Sequence, residues 1–252
     1  MGWCPVKKLR EGLVITGVLV LLWAAIVWLF ELPHYILPGP DRVARVLFER
    51  PELFLHHALI TATEIIAGLA LGAVLGMLVA CLIADSPRLQ RWTLPVLVVS
   101  QALPVFALAP ILMLWLGYGF ASKLAMTTLI VFFPVTAATL SGFRALPASW
   151  SDTLKTLRGH RLRIFWQVRF PLALPFAGSG LRIAASVAPI GAVVGEWMGS
   201  AGGLGSLMLH ANGRGQTDIL FAALVVLCLL ALLIWDITQR LTKPLNRYQA
   251  FD

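Results

Sequence analysis

Four ionisable residues stand inside strongly apolar stretches: Glu64, Arg182, Glu196 and Asp236. A charge held in an apolar medium is costly, so groups of this kind point to solute pathways, proton relays or gates. Glu64, Arg182 and Asp236 lie near the ends of their apolar runs, where a long side chain can reach the membrane interface. For those three a structural role has at least equal weight. Glu196 differs, because it follows Ile190-Gly191-Ala192-Val193-Val194-Gly195 and precedes Trp197. Two readings stand for it: a gate or pocket contact, or a helix-end carboxylate that faces water.

Other chemistry is missing. Lys155-Thr156 is the only Lys followed by Ser or Thr, and no glycine precedes it at Walker spacing, so the chain carries no phosphate-cradling loop. His34, His56, His57, His160 and His210 form no H-E-x-x-H and no His/carboxylate cluster, which argues against a metal centre. There is no G-x-S-x-G nucleophile turn. Cys4, Cys81 and Cys228 show no paired spacing, so neither a disulfide framework nor a zinc site is supported. No cofactor or metal is expected in this chain.

The elements that must position these residues are dictated by composition. Of 252 residues, 59% are hydrophobic and 13% charged, and the mean hydropathy is +0.84. Soluble domains carry roughly 45–50% apolar and about 25% charged residues. A 27.5 kDa chain cannot bury so much apolar surface in one water-soluble core. The same figures exclude disorder, a collagen-like fibre and a disulfide scaffold. The expected class is all-α: a polytopic membrane protein embedded in a lipid bilayer.

Crossing about 30 Å of hydrocarbon takes roughly 20 helical residues. Six segments qualify as transmembrane helices: 12–30, 58–84, 92–116, 121–143, 176–198 and 219–237. The first follows Lys7, Lys8 and Arg10 as a signal peptide would, but it is long and no small-residue cleavage site follows, so an uncleaved helix is expected. With the N-terminus inside, 14 Lys and Arg fall on the cytoplasmic side and five (Arg42, Arg45, Arg50, Lys123 and Arg214) on the other. That is the positive-inside bias, with both termini cytoplasmic. It also accounts for the net charge of +8 without nucleic acid. Trp28, Trp92, Trp115, Trp197 and Trp235 fall near span ends, as an aromatic belt requires.

Gly68, Gly72, Gly76, Ala80 and Ala84 recur every fourth residue, which places small side chains on one helix face and allows close helix contact in lipid. The partner is either another helix of the chain or a second subunit. Pro95, Pro104 and Pro110 fall in the third span, Pro134 in the fourth and Pro189 in the fifth. Each removes a backbone donor, tolerated at membrane depth where protein or a watery cavity satisfies the freed carbonyl. Pathway lining and plain kinking both fit. The long loop between the fourth and fifth spans is basic and contains Leu154, Leu157 and Leu162. It suits an anionic lipid surface or a cleft on a partner.

Several stretches together resemble the membrane subunits of binding-protein-dependent ATP-binding-cassette importers. They are Gln101-Ala102-Leu103-Pro104, Ala109-Pro110-Ile111-Leu112, Trp115-Leu116-Gly117-Tyr118-Gly119, Phe132-Phe133-Pro134, Pro171-Leu172-Ala173-Leu174-Pro175, and Gly195-Glu196-Trp197 followed by Gly203-Leu204-Gly205. The resemblance covers roughly residues 55–240 and is nearest the sulfonate, taurine, nitrate and thiamine-precursor group. It implies the type I importer permease fold and a homodimer. Two copies of a separate ATPase, which binds ATP and Mg, and an extracytoplasmic solute-binding protein complete the assembly. The expected organisation is a first helix and external segment over residues 1–57, a permease core over 58–240 with a cytoplasmic coupling loop at 144–175, and a tail over 241–252.

The family's cytoplasmic motif, E-A-A-x3-G-x9-I-x-L-P, forms the helix that seats in the ATPase. Aligned on Pro171, Asp152 falls on the acid, Thr153 and Leu154 on the alanines, and Arg158 on the glycine with Gly159 one step late. Val168 and Phe170 replace the Ile and Leu. By this likeness the coupling residues are Asp152, Thr153, Leu154, Leu157, Arg158, Gly159, Arg161 and Arg163. The translocation pathway takes Gln101, Pro104, Pro110, Glu196 and Trp197. Glu64 stands where sulfonate-type relatives often carry a basic residue, which disfavours a small anion. The stretch from Gly195-Glu196-Trp197-Met198-Gly199 through Gln216-Thr217-Asp218 looks most like hydroxymethylpyrimidine permeases. An aliphatic sulfonate, taurine or nitrate permease is the next reading. A proton-coupled secondary transporter is the alternative from another class, disfavoured by the lack of a visible inverted repeat.

Overall fold

The computed structural model describes residues 5–84, 86–102, 104–145, 161–199 and 201–248, and among them every regular element is helical. Backbone in lipid must satisfy its own hydrogen bonds, which the α-helix does within one segment. The chain runs through α1 (Pro5–Leu29), α2 (Pro40–Glu49), α3 (Pro51–Ala84), α4 (Pro87–Ala102), α5 (Val105–Leu116) and α6 (Phe120–Arg144). A single helical turn, Arg161–Ile164, and a π-helical turn, Phe165–Arg169, lead into α7 (Phe170–Trp197). Then come α8 (Leu204–Gly213) and α9 (Thr217–Thr242), which a 3₁₀ stretch, Lys243–Tyr248, extends. Pro51–Ala84, Phe120–Arg144, Leu162–Trp197 and Thr217–Arg247 are long and apolar enough to cross a membrane, and Val14–Leu29 and Val105–Leu116 are shorter apolar helices.

The third expected span is not one helix. Pro104 sits in extended backbone (φ −61°, ψ 113°) ahead of α5, because proline offers no N–H to continue the ladder from α4. Pro95 and Pro110 are accommodated inside α4 and α5. At 16 and 12 residues, the halves reach about 24 and 18 Å at 1.5 Å per residue, so neither alone crosses a bilayer. Two further helices, α2 and α8, lie in what the hydrophobic runs left as connections. Both are short and lack the unbroken apolar stretch that marks a span.

At the centre stands α6, packed against both α3 and α7, which also touch each other. Three apolar layers follow one another along the bundle. The first joins Val43, Phe54, Leu204, Ala211, Ile219, Ala222 and Ala223; the second Ile65, Val131, Val135, Ala184, Ala188, Ala192 and Ile234; the third Ala80, Ala84, Phe143, Phe165 and Ala173. Alanine recurs in all three because association in lipid rests on close backbone approach rather than on expelling water. Outside this core, Val14, Ile15, Leu19 and Leu21 of α1 are exposed, a surface suited to acyl chains. Trp28, Trp92, Trp115, Trp197 and Trp235 are exposed as well.

The stripe on α3 packs within the chain. A Cβ at Gly72 would come within 2.6 Å of Val131 Cγ1 and 3.0 Å of the Thr128 carbonyl, and one at Gly76 within 2.9 Å of the Phe132 carbonyl. Gly68 meets Thr127 in the same way, and Ala80 is fully buried. α7 approaches α6 as closely: a Cβ at Gly180 would collide with the Pro134 carbonyl at 2.7 Å and one at Gly191 with Thr127 Cα at 2.7 Å. A methyl forced into such a contact typically costs about 1–3 kcal/mol. Gly72→Ala is therefore expected to lower the melting temperature of the detergent-purified protein. Gly12→Ala, where a Cβ meets nothing within 4 Å, leaves it unchanged. Equal melting of the two variants would refute this packing role.

Candidate functional site

Where α6 begins and α7 ends, against the first half of α3, three ionisable side chains are buried together. Relative exposures are 0% for Glu64, 8% for Lys123 and 1% for Glu196. Lys123 Nζ pairs with Glu64 Oε1, and Glu196 interacts electrostatically with Glu64. Thr61, one turn before Glu64 on α3, donates its hydroxyl to Glu196 Oε1 at 2.6 Å. The same hydroxyl oxygen accepts the Leu204 N–H at 2.8 Å. Glu196 Oε2 accepts the Gly205 N–H at 2.5 Å, and His57 Nδ1 lies 3.0 Å from the Gly203 nitrogen.

Local structure explains the convergence. His57, Thr61 and Glu64 are spaced four and three residues apart and so share a face of α3. Gly195 lets Lys123 pass, since a Cβ there would stand 3.1 Å from Lys123 Cα. Gly203 takes φ +107°, a conformation open essentially to glycine, and a Cβ there would overlap the Glu196 carboxylate. The first N–H groups of a helix lack intrahelical acceptors. In α8 the Leu204 and Gly205 N–H groups are taken up by Thr61 and Glu196. The network pins the N-terminus of α8 against α3 and the end of α7.

The arrangement corrects two expectations. Glu64 does not reach an interface; it is paired in the interior. Lys123 does not belong to an external loop; it lies in the first turn of α6 with its charge turned inward. Glu64 is therefore neutralised within the chain and carries no information against an anionic solute. Arg182 donates to Ser179 Oγ at 2.7 Å and Thr242 Oγ1 at 3.3 Å. Asp236 pairs with Arg240 at 2.7 Å on an exposed flank. Neither joins the network. Because both Glu196 oxygens are taken up by Thr61 and the Gly205 N–H, the constellation holds helices together rather than attacking a substrate.

The residues grouped as a pathway separate into two places. Pro104 and Pro110 are exposed on the broken third span, and Gln101 lies in the last turn of α4. This break borders an open cleft of about 710 Å³ lined by Val105, Leu108, Phe132, Phe133, Ile183 and Ile190 among others. Glu196 is in the interior network instead, and Trp197 is half-exposed beside it. Of the coupling residues, Asp152, Thr153, Leu154, Leu157, Arg158 and Gly159 lie outside the described residues. Arg161 and Arg163 fall in the turn that leads to α7, with Arg163 exposed. Sequence reasoning overlooked Lys123, Thr61 and His57. The available signal was a lysine inside a predicted apolar span with Glu64 at a similar distance from the same membrane face.

Comparison with known proteins agrees with this architecture. Residues 72–248 match the family described as binding-protein-dependent transport system inner membrane component. The chain is 50% identical over 228 residues to a probable ABC transporter permease protein of Haemophilus influenzae, covering 90% of this chain and 93% of the relative. It is 38% identical over 216 residues to the formylaminopyrimidine transport permease protein ThiX of Halalkalibacterium halodurans, covering 84% and 85%. The fold is similar to a chain of the inward-facing MetNI methionine ABC transporter, with a TM-score of 0.66 at 18% identity over 78% of this chain and 98% of that one.

Proposed function

The chain belongs to the inner-membrane components of binding-protein-dependent transport systems, and from that premise we propose that it passes a neutral pyrimidine across the membrane. As a member it is the multi-pass transmembrane subunit of an ATP-binding-cassette importer and not itself an enzyme; a separate subunit hydrolyses ATP. The solute we assign is hydroxymethylpyrimidine or a related thiamine precursor, delivered by an extracytoplasmic binding protein. Two copies of the chain work with two copies of the ATPase, which holds ATP and Mg.

The observation that carries the solute class is the cleft. None of the described residues that line it is charged, and Phe132 and Phe133 contribute aromatic rings. An anion in such surroundings is desolvated without a counter-charge, whereas a flat neutral heterocycle loses less solvation and can stack on phenyl rings. The relative named for formylaminopyrimidine supports the same chemistry. Both faces of the cleft belong to α4–α7, so a second copy facing it would close a path between the two chains. The loop at 144–175 is the assigned contact with the ATPase.

Proteoliposomes holding the chain, its ATPase and its binding protein test the reading. Labelled hydroxymethylpyrimidine is expected to accumulate only with ATP on the ATPase side, and excess unlabelled compound but not taurine or nitrate suppresses uptake. Uptake of taurine in its place would reject the solute. Accumulation by the chain alone under a proton gradient would reject the ATP-driven mechanism.

A further inference from the structure

The C-terminal carbonyls of a helix lack intrahelical donors, and at the end of α3 they are capped by side chains of the following helix, α4, and of the turn that leads to α7. Gln90 Nε2 donates to the Ala84 carbonyl at 2.8 Å and to the Ile83 carbonyl at 3.2 Å. Its Oε1 accepts both Nε and Nη2 of Arg144, at 3.1 and 2.8 Å. Arg169 Nη2 adds a contact of 3.4 Å to the Ala84 carbonyl. Beside these bonds, Phe143 stacks on Phe165 with centroids 5.4 Å apart and planes at 21°. The Arg169 guanidinium sits 6.0 Å over the Phe143 ring.

Arg144 is the last residue of α6 and Arg169 closes the π-helical turn before α7. These two residues therefore bracket the segment 146–160, and both reach the same helix end. The Gln90 amide has both N–H donors and its carbonyl oxygen engaged, which holds it in one rotamer between Arg144 and α3. A π-helical turn is uncommon and frequently marks a functional position. About 30 Å along α3, at 1.5 Å per residue, the same helix carries Thr61 and Glu64 into the network that holds α8.

We propose that Gln90, with Arg144 and Arg169, is a positioning residue for energy coupling: it clasps both ends of the loop at 146–160 to α3, so that displacement of the loop by the ATPase reaches the far end of the bundle. The inference rests on the importer reading above. Gln90 touches neither solute nor nucleotide; it transmits movement between elements that do.

Gln90→Met keeps length and removes every polar contact, and Arg144→Lys keeps charge but loses the two-pronged bond. Each is reconstituted with the ATPase and binding protein, using hydroxymethylpyrimidine as the probe solute. Both are expected to retain ATPase co-purification, wild-type melting and basal ATP hydrolysis. Stimulation of hydrolysis by the loaded binding protein is expected to fall about fivefold or more, the lower range of ordinary coupling between sites. Gln90→Glu, which still accepts from Arg144, recovers part of the loss. Stimulation within twofold of wild type in both well-folded variants overturns the clasp. If wild type itself shows no stimulation, the solute assignment fails instead. If Gln90→Met does not fold, the decision passes to Arg144→Lys.

Discussion

Lys123→Met is expected to reduce folded protein in the membrane by about tenfold or more, and Glu64→Met combined with Lys123→Met restores most of it. The single change strands a buried carboxylate, and removing one partner of a buried pair typically costs about 3–5 kcal/mol. Losses of even 1–2 kcal/mol change abundance several-fold. Replacing both partners removes the charges together, and an apolar exchange of similar volume is often neutral or stabilising. Immunoblots of isolated membranes and melting of the purified protein read the effect. Wild-type abundance and melting for Lys123→Met would show that the pair is not structural. With the double variant stable, its transport rate then tells whether the pair matters only for folding or also for movement of α8.

Glu196→Leu is the second large effect. It leaves the Gly205 N–H without its acceptor, an unsatisfied buried group that costs about 1–3 kcal/mol, and forces the Thr61 hydroxyl from Glu196 onto the longer bond to the His57 carbonyl. Glu196→Gln behaves differently because Thr61 can reverse its role. The amide carbonyl takes the Gly205 N–H, the amide N–H₂ faces Thr61 Oγ1, and the hydroxyl turns to the His57 carbonyl, 3.2 Å away. Expression of Glu196→Gln is therefore expected near wild type while that of Glu196→Leu collapses. Transport-linked ATP turnover of Glu196→Gln is expected to change more than its abundance, since the ionisable carboxyl beside Glu64 and Lys123 is gone. Unchanged turnover at normal abundance would confine Glu196 to holding α8 in place.

The interior network and the cleft differ in what each contributes. Glu196, Thr61, Glu64 and Lys123 tie α3, α6, α7 and α8 at one end of the bundle, with Glu64 Oε2 left without a hydrogen bond. The cleft is apolar, open and bordered by the break at Pro104, which places the interruption of the third span next to the assigned path. A rigid end and a broken helix in one subunit are compatible with rocking between two access states. The clasp at Gln90 is the mechanical link from the loop at 146–160 to that rigid end.

Membrane class, the long helices and the small-residue face of α3 are legible in the chain of residues alone. Hydrophobic run length is a one-dimensional quantity matched to bilayer thickness, and glycine every fourth residue necessarily shares a face. The catalytic absences are equally local, since a Walker loop or an H-E-x-x-H helix has a contiguous signature. Even the importer family is carried by short runs such as Gly195-Glu196-Trp197. The partners of Glu64 and Glu196 are not local in this sense. Lys123 lies 59 positions from Glu64, and Thr61 lies 135 from Glu196, so they meet only when α3 and α7 close on α6. Charge counting by loop assigned Lys123 to water because it sits near a helix start; packing of Gly195 against its stem turns it inward. Likewise a proline in an apolar run is compatible with either a kink or a break. Pro110 continues its helix and Pro104 ends one, a difference set by the surroundings of each backbone rather than by residue type.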